Sequence, residues 1–210
     1  PGVPLIHPEL GSNLALEHRI DVGEADRAFA AAHASVAVEL RFARHTGVPL
    51  EPRTLVAEFD PTLRQLTVHQ STQVPHQMRN AFAEALGLAE HDVRVLTPDV
   101  GGGFGVKLHV YDDEMATAAA AVLCGRPVKY QCDRLEAFVS DVHARAHRVR
   151  AEAALAADGT VLAFRFDDLA EAGGVSIYPR SSILEGLQAL NFFGIAYGVN
   201  AYQARLRVVY

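Results

Sequence analysis

The sequence predicts an α+β fold of mixed sheets with packed helices, in one large domain or two subdomains. Stretches that alternate apolar and polar residues, as half-buried strands do, are interleaved with stretches whose apolar residues recur every three or four positions, as on a helix face. The two kinds do not alternate regularly, as they would in a doubly wound parallel sheet. Half of the 210 residues are apolar, enough for a proper core and too many for disorder.

Residues 1–20 are rich in Pro, Gly and Asn and read as a linker from a preceding domain; residues 21–210 form the domain itself. Asp21-Val-Gly-Glu-Ala-Asp-Arg leads into a short helix over AFAAAHA, and SVAVELRFARH alternates as a half-buried strand. LEPRTLVAEFD and QLTVHQST form a hairpin around DPTLR, with Pro61 setting the turn. Val74 to Leu86 places Met78, Phe82, Leu86, Ala81 and Ala85 on one helix face, and Gly87 fits its C-terminal cap. DVRVLTPDV reads as a buried strand, and Asp113 to Leu123 as an alanine-rich helix closed by Gly125-Arg-Pro127. PVKYQC resumes a strand, and Asp133 caps a short helix through Val139. RVRAEAAL, the turn AADG and TVLAFRF describe a long hairpin. A helix follows from Ser182 to about Phe192, then a strand near Tyr202 to Tyr210.

Composition narrows the function. A net charge of −6, without a clustered Lys/Arg run, leaves no footprint for nucleic acid or an anionic membrane. The longest apolar run, Met115 to Cys124, has ten residues, about half of a membrane span. Cys124 and Cys132 match neither a redox pair nor a zinc or iron–sulfur pattern, so both are expected to be buried thiols. PGVPLIHPELGSN has no basic or apolar leader region. A chain truncated at both ends, with a cytoplasmic location, is the expectation.

The stretch that carries chemistry is Thr97 to His109, TPDVGGGFGVKLH, directly after a predicted strand. Each glycine costs about 0.5–1 kcal/mol of chain entropy relative to alanine, so three in a row argue for close backbone approach to a ligand. A dinucleotide loop needs G-x-G-x-x-G opening a helix, and a phosphate loop needs G-x-x-x-x-G-K followed by Ser or Thr. Neither spacing occurs.

The order EPR, VAEFD, LTVHQSTQVPH, ALGL, VRVLTPDVGGGFGVK, RPVKY and R-x-E-x-F resembles the molybdenum-binding large subunit of the xanthine dehydrogenase and aerobic carbon monoxide dehydrogenase family of molybdenum hydroxylases. The likeness runs from about Val22 to Tyr210. It implies the first molybdopterin-binding domain of such a subunit. It also implies hydroxylation of an aldehyde or N-heterocyclic carbon with oxygen from water, electrons leaving through iron–sulfur clusters to flavin. The implied cofactor is molybdenum–molybdopterin, in the cytosine dinucleotide form. The 2Fe-2S clusters and FAD would sit on an iron–sulfur subunit and an FAD subunit, and the remaining half of the molybdenum subunit would be a further partner. Gln73 matches the glutamine whose amide bonds an oxygen ligand of the metal, and Gly102, Gly103, Phe104 and Gly105 match the loop beside the cofactor. Leu108 and Arg145 would border the substrate pocket. The family's general-base glutamate has no counterpart here and is expected beyond Tyr210, so this chain alone should be inactive. Purine-oxidising members carry a glutamate where Leu108 follows the loop lysine, so xanthine is disfavoured.

Two other readings stay open: a non-catalytic cofactor-holding piece of a split subunit, and a glycine-loop nucleotide-binding module. Of the other polar candidates, Lys107 is expected to anchor the loop. Glu51 and Arg53 are expected to pair with each other or to orient the site wall. Glu136 reads as a surface charge, and His76 as a solvent-facing residue at a helix start. His143 and His147, at i, i+4, could bind zinc, but their segment enters a strand and no third ligand is evident. The apolar run Leu184 to Ile195 belongs to the core or to an interface.

Overall fold

The computed structural model describes residues 3–144, 146–175, 177 and 182–210. In chain order the elements are β1 (Leu14–Val22), α1 (Ala25–Ala31), β2 (Ala34–Phe42), β3 (Thr54–Asp60), β4 (Gln65–Gln70), α2 (Pro75–Leu86), β5 (Val93–Leu96), α3 (Asp112–Cys124), β6 (Val128–Gln131), α4 (Arg134–Ser140), β7 (His147–Leu155), β8 (Val161–Glu171), α5 (Ser182–Phe192) and β9 (Tyr202–Val209). They divide into two units, Thr46–His143 and the pair of segments Pro1–His45 and Ala144–Tyr210. Each unit is antiparallel except for one parallel pair reached through a helix, β4–α2–β5 in the first and β8–α5–β9 in the second. This is the α+β class expected.

In the unit Thr46–His143 the sheet order is β5-β4-β3-β6. The β3–β4 hairpin turns where the Asp60 carboxylate accepts the amides of Thr62 and Leu63 at 2.8 and 3.1 Å, an Asx-type turn that Pro61 preorganises. Pro75 opens α2, and Gly87 closes it in the left-handed conformation with φ 64°. Met78, Phe82 and Ala83 are its buried residues, whereas the expected Ala85 is exposed. Burying Phe82 completely contributes about 2–3 kcal/mol. Ala118 and Ala121 of α3 join the same core with Leu55, Leu66 and Val68; small side chains let this helix lie close to β3. The strand β5, expected to be buried, lies at the sheet edge and only Val93 is buried. Asp133 and Glu136 form a reciprocal capping box on α4, so Glu136 is more than a surface charge. Cys132 is buried as expected, but Cys124 is exposed, which corrects the expectation for that thiol.

A fully buried guanidinium organises one side of this unit. Arg53 donates to both Asp113 oxygens at 2.6 and 2.7 Å and to Asp141 at 2.7 Å, and Glu114 lies 3.4 Å away. Its carbon sits 3.7 Å from the centre of the Tyr111 ring, a cation–π contact. Three carboxylates thus share one cation. Burial pushes the Glu114 carboxyl up to about 7. For Asp113, burial works upward but hydrogen bonds from Arg53 and Tyr130 hold the carboxyl below its ordinary value.

The second unit has the sheet order β1-β9-β8-β7-β2. Residues 14–20, expected within a linker, belong to β1, which pairs with β9 from Leu14↔Val209 to Val22↔Tyr202. Local composition could not reveal a partner at the far end of the chain. All nine residues of β2, expected to be half-buried, are exposed, because it is an edge strand and α5 packs on β9, β8 and β1 instead. In the run Leu184 to Ile195, Leu190 is fully buried and Phe193 packs on Phe164 and Phe166, whereas Phe192 and Ile195 are exposed. His147 binds Asp168 at 2.8 Å and lies 3.8 Å from Glu185 of α5. It therefore holds two strands and a helix together by charge, and carboxylates rather than a metal account for its ring nitrogens.

Two outcomes follow from these buried charges. Hydrogen bonds to Asp168 and Glu185 raise the His147 pKa from 6.5 to about 9. The stabilisation, on the order of 3 kcal/mol, is therefore complete below pH 6.5 and lost as pH rises through 9. Unfolding free energies measured by urea titration should fall across that window, and His147→Gln should lack this component of the slope. In Arg53→Met the three carboxylates lose their shared cation, which should cost about 3–5 kcal/mol in the same titration; a loss under about 1 kcal/mol would show that the cluster is not structurally important.

Candidate functional site

The glycine loop runs between β5 and α3, after the strand end Ser71-Thr72-Gln73. Its backbone can follow this path only without side chains at four places. Gly102 and Gly105 have φ of 99° and 86°, a region that L side chains rarely adopt. A Cβ on Gly101 would lie 2.5 Å from the Glu51 Cβ, and one on Gly103 would lie 2.4 Å from the Gln73 Oε1. Phe104 has φ 49° and projects outward, 75% exposed.

The loop is tied to its surroundings at both ends. At the start, the Gly101 amide donates to Glu51 Oε2 at 2.7 Å, and Gly101 O accepts from the Glu51 amide at 3.2 Å. At the far end, Lys107 O accepts from the Gln73 amide at 3.0 Å and from Thr72 Oγ1 at 3.1 Å. Tyr111 Oη donates to Val106 O at 2.7 Å, linking the loop to the ring on which Arg53 rests. Between these ties the amides of Gly102, Gly103 and Phe104 donate to no described residue.

Gln73 crosses the loop. Its Oε1 accepts from the Gly105 amide at 3.1 Å, and its Nε2 has no partner among the described residues. The side chain is exposed. A carboxamide held by its oxygen presents its two N–H donors outward. Gln73 and the loop segment Gly102 to Gly105 are therefore brought together. Leu108 is half-buried behind the loop, its Cδ1 4.0 Å from where a Gly105 Cβ would lie. Arg145 lies outside the described residues. His76 is exposed at the start of α2.

One pairing differs from expectation. Glu51 does not pair with Arg53. It binds Lys107 Nζ at 2.7 Å and Ser71 Oγ at 2.6 Å, while Arg53 serves the cluster described above. Burial works to raise the Glu51 pKa, but hydrogen bonds from Lys107, Ser71 and Gly101 hold it below its ordinary value. Lys107 does anchor the loop. Its ammonium, 1% exposed, is turned inward to Glu51 and Ser71 rather than toward a phosphate. Glu51, Ser71 and Tyr111 carried no recognisable pattern in the sequence beyond lying near the loop or in the EPR and STQ segments.

Comparison with known proteins places this geometry. Residues 6–210 match the family model of the molybdopterin cofactor-binding domain. The carbon monoxide dehydrogenase large chain of Hydrogenophaga pseudoflava is 35% identical over 153 residues, 73% of this chain and 19% of that protein. The 6-hydroxypseudooxynicotine dehydrogenase complex subunit gamma of Paenarthrobacter nicotinovorans is 35% identical over 188 residues, 90% of this chain and 23% of that protein. The crystal structure of quinoline 2-oxidoreductase from Pseudomonas putida 86 aligns with a TM-score of 0.89 at 27% identity, covering 99% of this chain and 26% of that one. The chain thus spans 19% to 26% of the length of these proteins. With the family model matching nearly the whole length and the α+β fold shared, the chain belongs to the molybdopterin cofactor-binding domain family of the molybdenum hydroxylases.

Proposed function

We propose that this chain forms one wall of a molybdenum–molybdopterin site in an oxidoreductase that hydroxylates an aldehyde or N-heterocyclic carbon with water-derived oxygen. The observation that carries the reading is the row of three amides, Gly102, Gly103 and Phe104, beside the Gln73 amide, all of them without a partner among the described residues. These are neutral donors. They suit the oxygen and sulfur atoms of a metal–dithiolene group, to which they can donate without competing as ligands.

The residues present fit such a group. Gly101 and Gly103 leave no room for a Cβ, so the peptide plane itself is the contact surface. Lys107, the ammonium of the loop, is turned inward and paired with Glu51. When bound, the cofactor would supply the two-electron redox centre. Gln73 would donate a hydrogen bond to one of its oxygen ligands, held in register by the Gly105 amide. The free loop amides would bind the cofactor's edge, and Leu108 and Arg145 would border the substrate.

The carboxylate in contact with the loop is a poor general base. Glu51 has its pKa held down and its Oε2 occupied by three donors. A base well matched to neutral pH would need the opposite environment. On this reading the base comes from outside these residues and the chain alone is inactive, holding cofactor without completing the reaction. The partners would be the rest of the molybdenum subunit, an iron–sulfur subunit and an FAD subunit; the words large chain and complex subunit in the relatives' names support a multi-subunit assembly. The cytosine dinucleotide form of the cofactor and a cytoplasmic location belong to the same reading. Among the described residues no helix is long and apolar enough to cross a membrane.

Two substitutions test the wall. In the assembled enzyme, Gln73→Ala should lower turnover by about 10- to 100-fold, the usual effect of losing a hydrogen bond to a metal's ligand, with molybdenum content largely kept. Gly103→Ala should do the same by displacing the Gln73 amide, with little change in the melting temperature. Full activity in Gln73→Ala, or an absence of molybdenum and pterin from the purified wild-type assembly, would overturn the assignment.

A further inference from the structure

We propose that Glu51 and Lys107 are positioning residues: their buried ion pair sets where the Gln73 amide stands relative to the free amides of the loop. The consequence for the cofactor rests on the function proposed above, but the positioning itself is a property of this chain.

A single oxygen is the hub. Glu51 Oε2 accepts from the Gly101 amide at 2.7 Å, from Ser71 Oγ at 2.6 Å and from Lys107 Nζ at 2.7 Å. These donors come from the start of the loop, the strand end two residues before Gln73, and the end of the loop. Lys107 Nζ also donates to Ser71 Oγ at 2.8 Å, while its own carbonyl accepts from the Gln73 amide and from Thr72 Oγ1. Lys107 therefore grips Ser71, Thr72 and Gln73 from two directions, with its charged end and with its backbone. Among the described residues, the Gln73 side chain is tied to the loop by the bond from the Gly105 amide at 3.1 Å.

Charge is what makes this arrangement stiff. Hydrogen bonds with an ionised partner are shorter and about twice as strong as neutral ones. A buried ammonium with 1% of its side chain exposed cannot exchange its partners for water. A neutral residue at either position would leave the other ion buried and short of partners. The segment Ser71–Gln73 and the loop would then be free to drift apart, and the long Gly105–Gln73 bond would be the first to open.

Amide hydrogen exchange, read by NMR on the whole chain, tests this without any cofactor. In Lys107→Met and in Glu51→Gln the Gly105 and Gly101 amides should exchange about tenfold faster than in the wild type, as expected for losing one charge-assisted contact. The amide of Phe82, in the core of α2, should keep its rate. Unchanged exchange at Gly105 in the folded Glu51→Gln chain, under conditions where Gln73→Ala accelerates it, would overturn the proposal. Glu51 is one-third exposed and glutamine is nearly isosteric, so this variant carries the test even if Lys107→Met does not fold. In the assembled enzyme both variants should lower kcat more than they raise KM and should perturb the molybdenum electron paramagnetic resonance signal as Gln73→Ala does. If exchange shifts as expected while Gln73→Ala alters neither activity nor that signal, the cofactor reading fails and the positioning stands.

Discussion

The unit that carries the glycine loop depends on Arg53. Its guanidinium is fully buried and joins β3 to the first turn of α3 through Asp113 and to the end of α4 through Asp141. It also supports the ring of Tyr111. Arginine suits this place because its planar fork satisfies several carboxylates at fixed angles and keeps its charge in the interior. Tyr111 in turn holds Val106 O, so the loop inherits its position from a charge cluster that never touches a ligand. Lysine has one donor centre and could not span the same partners.

Above that support the loop solves a different problem. A side chain in the loop would either collide with Gln73 or Glu51, or force a backbone angle that L residues avoid. Removing side chains leaves peptide N–H groups as the recognition surface. Phosphate loops use the same device, but they add an outward lysine. Here the lysine is folded underneath, and Gly102 to Phe104 offer neutral peptide donors.

What the sequence made legible was whatever is decided locally. Helix α5 was expected from Ser182 to about Phe192 and spans those residues; α2 ends at Gly87, as its cap required. Apolar spacing and capping residues are enough for such segments. The loop and Gln73 were legible because their motifs lie within one strand–loop–helix passage and resemble a known family. The strand β1 was not, since its partner β9 lies at the other end of the chain. The partners of Arg53 were not legible either, because Asp113 and Asp141 lie 60 and 88 residues away. Charged residues at helix ends read as surface features, and nothing in their spacing marks them as buried. Of the two roles expected for Glu51, the pairing with Arg53 failed for a related reason. Arg53, two positions on in the chain, was the obvious partner, but Glu51 is held by Ser71, Gly101 and Lys107, which lie 20, 50 and 56 residues away.

The unit Thr46–His143 is inserted between β2 and β7, which pair with each other, and the bridge between His45 and Ala144 closes the insertion. The chain leaves the ribosome with β1, α1 and β2 first, yet their sheet partners β7, β8 and β9 come last. The inserted unit has all of its strands in one continuous stretch and can close while the flanking strands still wait. Its own loops are short, whereas the outer sheet must join ends nearly 200 residues apart, as with the 188-residue separation between Glu17 and Arg205. The architecture thus lets the inserted unit close first, while the sheet of β1, β9, β8, β7 and β2 is completed only after β9 has emerged.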